Sequence, residues 1–378
     1  MIRSTVARVD LGAVSANVTA IRDYLAREPR DGAPVPSLIA VVKANAYGHG
    51  AERVALTIEA AGADTLACAD IEEAIALRRA GVRVPILVFG ALSISELDGV
   101  FEFGLTPTIT TPWAARAVQD AAAARGVVVD CHLKIDTGMH RLGFRDENLR
   151  WTLPPVLAAP NLRLQAIYTH FASAEDAEGT LFNEQRERFD RAADVVRELT
   201  GRMPMRHAAN SAATLRDSRV WYDAVRPGLL LYGIVPPPLA STIPLVPAMS
   251  LTSRVVAVKG LRPGDGVGYG SRFVASEAAT VAVVPAGYAD GLDTRLSGRG
   301  HVLIRGRRAP IVGAVSMDML TVDVTGMDVS PGDEVVLIGR QGDETWQQID
   351  AREMAAAIGT IPWEIVCRLG SRIERQYD

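Results

Sequence analysis

Short apolar runs alternate with amphipathic stretches up to about Ile234, and this alternation restricts the fold more than any other feature of the chain. Runs rich in β-branched residues predict eight strands, at Ser37–Lys43, Thr65–Ala69, Val84–Phe89, Thr106–Ile109, Val127–Ile135, Leu162–His170, Met205–Ala209 and Ala224–Leu231. Apolar residues at helical spacing predict helices between them, at Ala51–Ala61, Ile71–Arg79, Trp113–Arg125 and Phe182–Leu199. Eight strands alternating with helices are typical of an α/β fold of the (β/α)8 TIM-barrel type.

A doubly wound parallel sheet is the main alternative, because both folds share the βαβ pattern. Such a sheet commonly carries a GxGxxG fingerprint between its first strand and helix. The glycine-rich segment Gly264–Gly270 has a different spacing and lies outside any βαβ unit. The barrel is therefore favoured.

The pattern changes near Pro236–Pro238, where prolines predict a linker. Short strands separated by Gly, Asp and Pro turns are predicted beyond it, at Ser250–Val258, Thr280–Val284, His301–Ile304, Ala309–Val315, Leu320–Val324 and Glu334–Ile338, with one helix near Gln347–Ala357. We therefore expect a barrel domain at residues 1–240 and a β-rich domain at residues 241–378. Residues 6–10 are a candidate strand for pairing with the second domain.

Composition excludes several classes of function. The formal net charge is −4 and no block of Lys or Arg stands out, so partners such as nucleic acid or an anionic membrane are not expected. The three cysteines are far apart and have no metal-ligand spacing, which argues against a disulfide framework or a zinc site. This cysteine usage fits a reducing cytoplasm. No apolar run approaches the roughly 18 residues of a membrane span, and we expect a cytoplasmic protein without a metal.

A lysine at the end of the first predicted strand is the strongest candidate for chemistry. Lys43 is followed by Ala-Asn-Ala-Tyr-Gly-His-Gly, and the C-terminal ends of barrel strands form the active-site face. A lysine in a dry pocket loses proton affinity and can bind an aldehyde cofactor covalently. A lone strand-end lysine more often extends into solvent, but the residues after Lys43 favour the functional interpretation.

The segment VVKANAYGHG, residues 41–50, resembles the pyridoxal 5′-phosphate (PLP) attachment motif of the alanine racemases, which are fold-type III PLP enzymes. The resemblance runs from about Val6 to Arg375 and includes further motifs in the same order. It implies a PLP-dependent amino-acid racemase, an isomerase, with a barrel followed by a β-rich domain. It also implies alanine as the substrate and a homodimer whose active sites are shared between subunits.

Barrels commonly bind phosphate with the loops after strands seven and eight, which here begin at Asn210-Ser211 and near Gly228-Leu229. Ser211 opens a short helical stretch whose N–H groups could face an anion, although a serine there is by itself more often a helix cap. The strand position favours a cofactor role for Asn210, Ser211, Gly228 and Leu229. The resemblance implies that Tyr47 contacts the same phosphate.

Arg226 lies in the eighth predicted strand. An arginine inside a barrel is costly unless it is paired with an anion or a hydrogen-bond acceptor. In the family the matching arginine faces the pyridine nitrogen of PLP. Because arginine stays protonated, it keeps that nitrogen unprotonated and makes the ring a weaker electron sink, which favours racemisation over transamination.

Racemisation removes the α-proton from one face and returns a proton to the other, so one base is expected on each face. The resemblance assigns these roles to Lys43 and Tyr269, with His170 and Arg226 as groups that assist the tyrosine. A free tyrosine has a pKa of about 10, and its anion therefore needs cationic or hydrogen-bonding neighbours. Tyr269 belongs to the second predicted domain, and the resemblance implies that it reaches the barrel of the other subunit.

Period-2 alternation places Lys134 and Asp136 on one strand face, with Arg141 in the loop that follows. The resemblance implies that Arg141 orients PLP and the substrate carboxylate, a role that suits a bidentate guanidinium. Lys134 and Arg141 would repel each other unless an anion lay between them. The matching lysine is often carbamylated in the family, and a carbamylated Lys134 is our hypothesis here.

Ser316-Met317-Asp318 resembles the family segment whose methionine N–H meets the substrate carboxylate across the dimer, and Tyr288 resembles an entrance tyrosine. Met317, Asp318 and Tyr288 are therefore candidate substrate-binding residues. A methionine among apolar residues is usually part of the core. The chain departs from the family at Ser371, where some members have a tyrosine, and this leaves the breadth of substrates open.

These observations predict an alanine racemase that converts L- and D-alanine for peptidoglycan. A broader racemase that also acts on serine stays an alternative. A non-catalytic PLP carrier is disfavoured, because such proteins end after the barrel and lack the segment with Tyr269 and Met317. A fold-type III decarboxylase is disfavoured because its His-Gly-Ser phosphate segment and late Cys-Glu/Asp pair are not evident in the sequence.

Overall fold

The computed structural model describes residues 4–28, 32–90, 97–176, 178–342 and 345–378. The chain forms two compact units. The barrel unit comprises Val14–Ala46 and Ala51–Leu245, and the sheet unit comprises the chain up to Ala13, Tyr47–Gly50 and Val246–Asp378. Neither compact unit is continuous in sequence, so the units do not correspond to a single boundary in the chain. The division into domains at residues 1–240 and 241–378 therefore stays a prediction.

Eight parallel strands form a closed barrel. In chain order they are Ser37–Val41, Thr65–Cys68, Ile86–Val88, Thr106–Ile109, Val129–Asp136, Leu162–Tyr168, Met205–Asn210 and Ala224–Arg226. Each strand pairs with its neighbours, and pairing of the first strand with the eighth joins the two ends of the series. A two-residue strand, Phe144–Arg145, lies beside the fifth. The predicted (β/α)8 barrel is confirmed.

Helices follow the barrel strands, and some of them begin at capping residues of the kind that the sequence displays. Asp70 and Thr111 accept N–H groups from the first turns of the helices they precede, as N-cap residues do. Phe182, Phe189 and Val196 are buried on one face of the longest helix. The α-helices up to residue 245 are Leu11–Arg27, Ala51–Ala60, Ile71–Arg79, Asp98–Glu102, Pro112–Ala124, Leu149–Thr152, Pro154–Leu157, Thr180–Thr200 and Ser211–Arg216, besides a left-handed turn at Lys43–Tyr47.

Five barrel strands end earlier than the sequence pattern predicts, by one or two residues at Val41, Cys68, Val88 and Tyr168 and by five at Arg226. The eighth strand stops at Arg226 rather than Leu231, because Pro227 has no N–H group to continue the ladder. Its apolar continuation instead forms a 3-10 helix, Leu229–Tyr232. The first strand stops at Val41, and Lys43 opens a turn instead of ending the strand.

The sheet unit contains a ten-stranded sheet. Nine strands follow one another in space, in the order Ala257–Leu261, Ala279–Val284, Leu320–Asp323, Arg307–Val312, His301–Ile304, Glu334–Gln341, Met249–Arg254, Val6–Val9 and Glu374–Tyr377. The tenth, Gln347–Ile349, pairs with Glu334–Gln341. Val6–Val9 pairs antiparallel with Met249–Arg254 and parallel with Glu374–Tyr377. The expected β-rich character of this part of the chain is confirmed.

Several differences from the predicted pattern concern the sheet unit. The run predicted as one strand at Ser250–Val258 is two strands, Met249–Arg254 and Ala257–Leu261. The predicted helix near Gln347–Ala357 begins later, at Ala351, because the first residues of the predicted range form a strand. The helix ends at Ile358. A further helix, Pro362–Cys367, follows. Among the residues that the structure describes, none of the helices combines the length and the apolar character that a bilayer crossing needs.

Candidate active site

Lys43 opens a turn with left-handed backbone conformation. The φ values of Ala44, Asn45, Ala46 and Tyr47 are 52°, 54°, 52° and 52°, and each left-handed residue other than glycine costs roughly 1–2 kcal/mol. Such strain persists only where surrounding structure holds it, and it is concentrated at functional sites. The turn therefore makes the end of the first strand an unusual position rather than an ordinary strand-to-helix connection.

Hydrogen bonds hold this turn in the barrel unit. The N–H of Ala46 donates to the carbonyl of Val42 at 2.9 Å, and the N–H of Ala44 donates to Oε1 of Glu73 at 2.6 Å. The side chain of Asn45 accepts the N–H of Ala51 at 2.8 Å. The side chain of Lys43 is half-buried.

The residues after the turn are held within the sheet unit. Arg375 donates from Nε to the carbonyl of Gly48 at 2.9 Å, and the carbonyl of Tyr47 lies 2.9 Å from Nδ1 of His49. A Cβ atom on Gly50 would lie 1.8 Å from the hydroxyl of Tyr377, so this position has room only for glycine. Tyr47 is buried, and burial raises the pKa of its phenol.

The charges of four cationic side chains act on His170 in the barrel unit, and the guanidinium of Arg226 lies 3.4 Å from its Nδ1. Burial, followed by the positive charges of Arg226, Lys134, Arg141 and Lys43, holds the pKa of His170 well below its usual value. The structure thus brings together five residues that the sequence predicted for one site. Burial, together with Arg141 and Arg226, also lowers the pKa of Lys134 to about 8. These positive charges favour the binding of an anion.

Arg226 is buried among uncharged acceptors. Its guanidinium donates to Nδ1 of His207 at 3.0 Å, to the carbonyls of Thr169 at 2.8 Å and Ala208 at 3.0 Å, and approaches Nδ1 of His170 at 3.4 Å. These acceptors meet the requirement for a buried arginine without cancelling its charge. Burial lowers its pKa to about 10, so it remains protonated at neutral pH.

The hydrogen bonds of Arg226 determine the tautomers of two further histidines. Because arginine only donates, Nδ1 of His207 must accept, and the proton of the neutral ring is on Nε2. Nε2 then donates to Nδ1 of His132, 3.0 Å away. Burial keeps both rings neutral, since it lowers the pKa of His132 to about 4 and holds that of His207 well below its usual value. The ring of Tyr168 stacks on His207 with centroids 4.7 Å apart.

Sequence reasoning missed His132 and His207 as members of this site. His132 precedes Lys134 by two residues on the same strand, so alternation already places it on the face of Lys134 and Asp136. That signal was present in the sequence. Nothing in the local pattern indicates that His207, on another strand, meets His132.

The ends of the seventh and eighth strands meet at Ser211 and Gly228. Ser211 Oγ accepts the N–H of Gly228 at 2.9 Å. Asn210, not Ser211, is the cap of the helix Ser211–Arg216, because its Oδ1 accepts the N–H of Ala213 at 2.9 Å. Leu229 is fully buried at the start of the 3-10 helix.

The loop that carries Arg141 is organised by Asp136. Its carboxylate accepts the N–H groups of Gly138 at 3.1 Å and His140 at 3.0 Å. Arg141 follows and is exposed. Lys134 is buried, with its Nζ 5.8 Å from the ring centroid of Tyr168.

A buried glutamine connects two of the active-face loops. Gln185 is fully buried on the helix Thr180–Thr200. Its Oε1 accepts the N–H of Ala172 at 2.8 Å, and its Nε2 donates to the carbonyl of His170 at 3.2 Å and to Thr137 Oγ1 at 3.3 Å. Sequence reasoning missed this residue because it considered only the apolar positions of the helix.

Close backbone packing in the sheet unit places the Tyr288 and Met317 loops together. The N–H of Tyr288 donates to the carbonyl of Ser316 and that of Ala289 to the carbonyl of Met317, both at 3.0 Å. A Cβ atom on Gly287 would lie 2.4 Å from the Met317 carbonyl oxygen, and this approach therefore requires glycine.

Four predicted site residues of the sheet unit are exposed, namely Tyr269, Tyr288, Met317 and Asp318. Tyr269 is 76% exposed in a turn between two glycines, Tyr288 is 45% exposed and Met317 is 51% exposed. Met317 is therefore not a core methionine. Asp318 next to it forms an ion pair of 2.7 Å with Arg372, and Ser371 is exposed beside that arginine.

The part of the chain that the structure describes contains no group of three or more His, Cys, Asp or Glu residues that could hold a metal ion.

Almost the whole chain matches models of a known protein family and individual known proteins. Residues 9–236 match the family model "Alanine racemase, N-terminal domain" and residues 248–377 match "Alanine racemase, C-terminal domain". The chain is 38% identical to the alanine racemase of Halothermothrix orenii over 99% of this chain and 97% of the relative. It is 40% identical to that of Synechocystis sp. over 97% of each.

Solved structures give the same result. The alanine racemase from a D-cycloserine-producing Streptomyces lavendulae matches with a TM-score of 0.92 and 34% identity, over 100% of this chain and 98% of that one. The alanine racemase of Bacillus anthracis, crystallised with bound L-Ala-P, matches with a TM-score of 0.89 and 35% identity, over 100% of this chain and 96% of that one.

Proposed function

The chain belongs to the alanine racemase family, whose members are isomerases, and from that premise we propose that it interconverts L- and D-alanine with PLP by a two-base mechanism. We further propose that its D-alanine supplies peptidoglycan. The observation that carries the proposal is the cationic group around His170, which includes Lys43 at the strained turn.

The residues of the barrel unit fit PLP. The positive charges of four side chains act on the half-buried imidazole of His170 and favour an anionic ligand. Ser211 and Gly228 meet where barrels commonly bind phosphate, and we propose that these two residues, with Asn210, Leu229 and Tyr47, hold the phosphate group. When bound, PLP withdraws electrons from the α-carbon of the amino acid and makes its proton acidic.

Lys43 and Tyr269 are the proposed proton carriers. The amine of Lys43 attaches the cofactor and moves the α-proton on one face, and the phenol of Tyr269 does so on the other. Arg226 would face the ring nitrogen and, because it stays protonated, would keep a proton off that atom. His170, neutral and next to Arg226, orients the phenol.

The substrate carboxylate is assigned to Arg141 and to the N–H of Met317, with Asp318 and Tyr288 at the entrance. A carbamate on Lys134 would place a negative charge beside Arg141. Carbamylation requires a neutral amine, which adds to carbon dioxide and releases one proton. A pKa of about 8 makes a neutral amine available near neutral pH.

We propose that the exposed Tyr269, Tyr288 and Met317 are covered in a homodimer. Three large side chains exposed on adjoining loops of the sheet unit support this proposal. In that assembly Tyr269 of one subunit would reach the barrel site of the other subunit, as the family resemblance implies.

The experiment that tests the function is a racemisation assay across a panel of amino acids. L-alanine in deuterated water should lose its α-proton and give D-alanine until both enantiomers are equal, faster than any other substrate. Serine converted at a comparable rate would favour the broader racemase. That alternative is kept because the chain has Ser371 where some family members have a tyrosine. Decarboxylation, or cofactor binding with no turnover, would contradict the proposal.

A further inference from the structure

The left-handed turn after Lys43 begins where the hydrogen-bonding ladder of the barrel ends. The N–H of Val42 still donates to the carbonyl of Ala67 on the second strand, at 2.9 Å. Two residues further on, the N–H of Ala44 donates to a side chain on that side of the barrel, Oε1 of Glu73, at 2.6 Å. The first residue of the turn with left-handed backbone conformation thus donates its N–H to a carboxylate rather than to a carbonyl of the neighbouring strand.

The second oxygen of the same carboxylate joins the neighbouring strand. Oε2 of Glu73 accepts the N–H of Ala69, the residue after the strand Thr65–Cys68, at 2.8 Å. One side chain therefore connects the C-terminal ends of the first two barrel strands. Hydrogen bonds to an ionised acceptor are about twice as strong as neutral ones.

Glu73 is itself held in position. It is the third residue of the helix Ile71–Arg79, and its N–H donates to Oδ1 of the N-cap residue Asp70 at 2.8 Å. In an ordinary capping box, a glutamate at this place bonds the N-cap backbone N–H. Here it bonds one residue earlier, at Ala69, and also reaches across to Ala44. Its contacts therefore exceed what its own helix requires.

We propose that Glu73 is a positioning residue that places Lys43 for the reaction by holding the strained turn. This proposal rests on the proposed function of Lys43. The carboxylate acts on the backbone one residue after the lysine and not on the reacting atoms. Without two ionised acceptor oxygens, the turn relaxes towards ordinary backbone conformations, and the amine of Lys43 leaves the position at which it attaches PLP.

Glu73→Gln tests this, because glutamine has nearly the same shape but only one acceptor oxygen, and its NH2 group would face an N–H donor. Glu72→Gln is the matched control, since Glu72 is the preceding residue, is exposed and undergoes the same change of charge. We expect Glu73→Gln to weaken PLP binding about tenfold, as the loss of one charge-assisted hydrogen bond implies. Amide hydrogen exchange at residues 44–47 of the cofactor-free protein should accelerate. Glu72→Gln should match wild type in both measurements.

A rescue experiment separates positioning from simple stability. Ala44 is exposed and left-handed, and glycine adopts that conformation without steric cost. Ala44→Gly in the Glu73→Gln background should therefore restore part of the PLP affinity. If Glu73→Gln alone fails to fold by circular dichroism, a double variant that folds and binds PLP still supports the proposal, and one that does neither overturns it.

Two further results would overturn the proposal: wild-type affinity and wild-type exchange in Glu73→Gln, or weakened affinity with unchanged exchange at residues 44–47. If wild-type protein itself bound no PLP, the proposed function would fail. The exchange measurement on cofactor-free protein would then still decide whether Glu73 holds the turn.

Discussion

Arg226 donates a hydrogen bond from Nη1 to Nδ1 of His207 across 3.0 Å in the barrel interior. This contact leaves His207 only one nitrogen for a proton, and that proton points to His132. The buried guanidinium thus has a direction that two neutral imidazoles maintain. Because its acceptors are uncharged, the positive charge of Arg226 is not neutralised and can act on a bound ligand.

Replacing His207 with alanine should reduce both stability and racemisation. A buried guanidinium N–H would lose its acceptor, at a cost of about 1–3 kcal/mol. Urea denaturation should report that loss, and kcat should fall because His207 no longer holds Arg226 in the position proposed for it beside the ring nitrogen. His301→Ala, at an exposed position in the sheet unit, is the control and should leave both quantities unchanged. Unaltered kcat in a folded His207 variant would contradict the assigned role.

Acidification should destabilise the protein before its carboxylates titrate. The pKa of His132 is about 4 in the folded chain, and about 6.5 is usual in an unfolded one. Between these values the unfolded state binds more protons, so the free energy of unfolding falls as pH drops from 6.5 towards 4. His170 and His207 shift in the same direction. Denaturant titrations over this range should show the slope, and His132→Gln should reduce it. A flat profile in wild type would be incompatible with neutral buried imidazoles.

Lys43→Ala should abolish covalent attachment of PLP. The chain contains three lysines, at positions 43, 134 and 259, so borohydride reduction followed by peptide mapping assigns the adduct without ambiguity. Lys259→Arg, at an exposed lysine, is the control and should keep both the adduct and the activity. An adduct that persists in Lys43→Ala would show that the anchor is another lysine.

Tyr269→Phe should keep PLP and lose most turnover in at least one direction, because only one face retains its base. Tyr24→Phe is the control, since Tyr24 lies on the helix Leu11–Arg27 and outside the proposed site. Rates in both directions with α-deuterated alanine should show which face has lost its proton carrier. Full activity of Tyr269→Phe would remove this tyrosine from the mechanism.

Sites shared between subunits predict complementation between two inactive variants. Mixing Lys43→Ala with Tyr269→Phe under conditions of subunit exchange should restore some racemisation, since mixed dimers contain one site with both residues intact. Each variant alone, treated identically, provides the baseline. No recovery despite mixed dimers observed by native mass spectrometry would argue for sites within one subunit.

Carbamylation of Lys134 should depend on pH and bicarbonate. The pKa of Lys134 is about 8, so the neutral amine that reacts with carbon dioxide becomes scarcer as pH falls below 8. Labelled bicarbonate should give a carbamate carbon signal by NMR at pH 8 that weakens towards pH 6. The signal should be missing in Lys134→Arg. Its absence from wild type at pH 8 would refute the modification.

The sequence determined the features that rest on local periodicity. Alternating strand and helix patterns predicted the barrel, and short strands with Gly and Asp turns predicted the β-rich sheet, because each pattern reflects which face of an element is buried. Lys43 stood out because of the residues that follow it, since a lone lysine at the end of an apolar strand more often extends into solvent. The family resemblance then assigned roles to residues such as Tyr269 that periodicity could not.

Only the tertiary structure decided which distant residues meet. The left-handed conformation at Ala44 is unfavourable by itself, and its N–H has an acceptor on another element, Glu73. His207 became part of the site because strand pairing in the barrel brings it to Arg226 and His132. A sequence displays the preferences of each residue for its neighbours along the chain. Strain and tautomers depend on partners far away in the chain, and packing alone selects those partners.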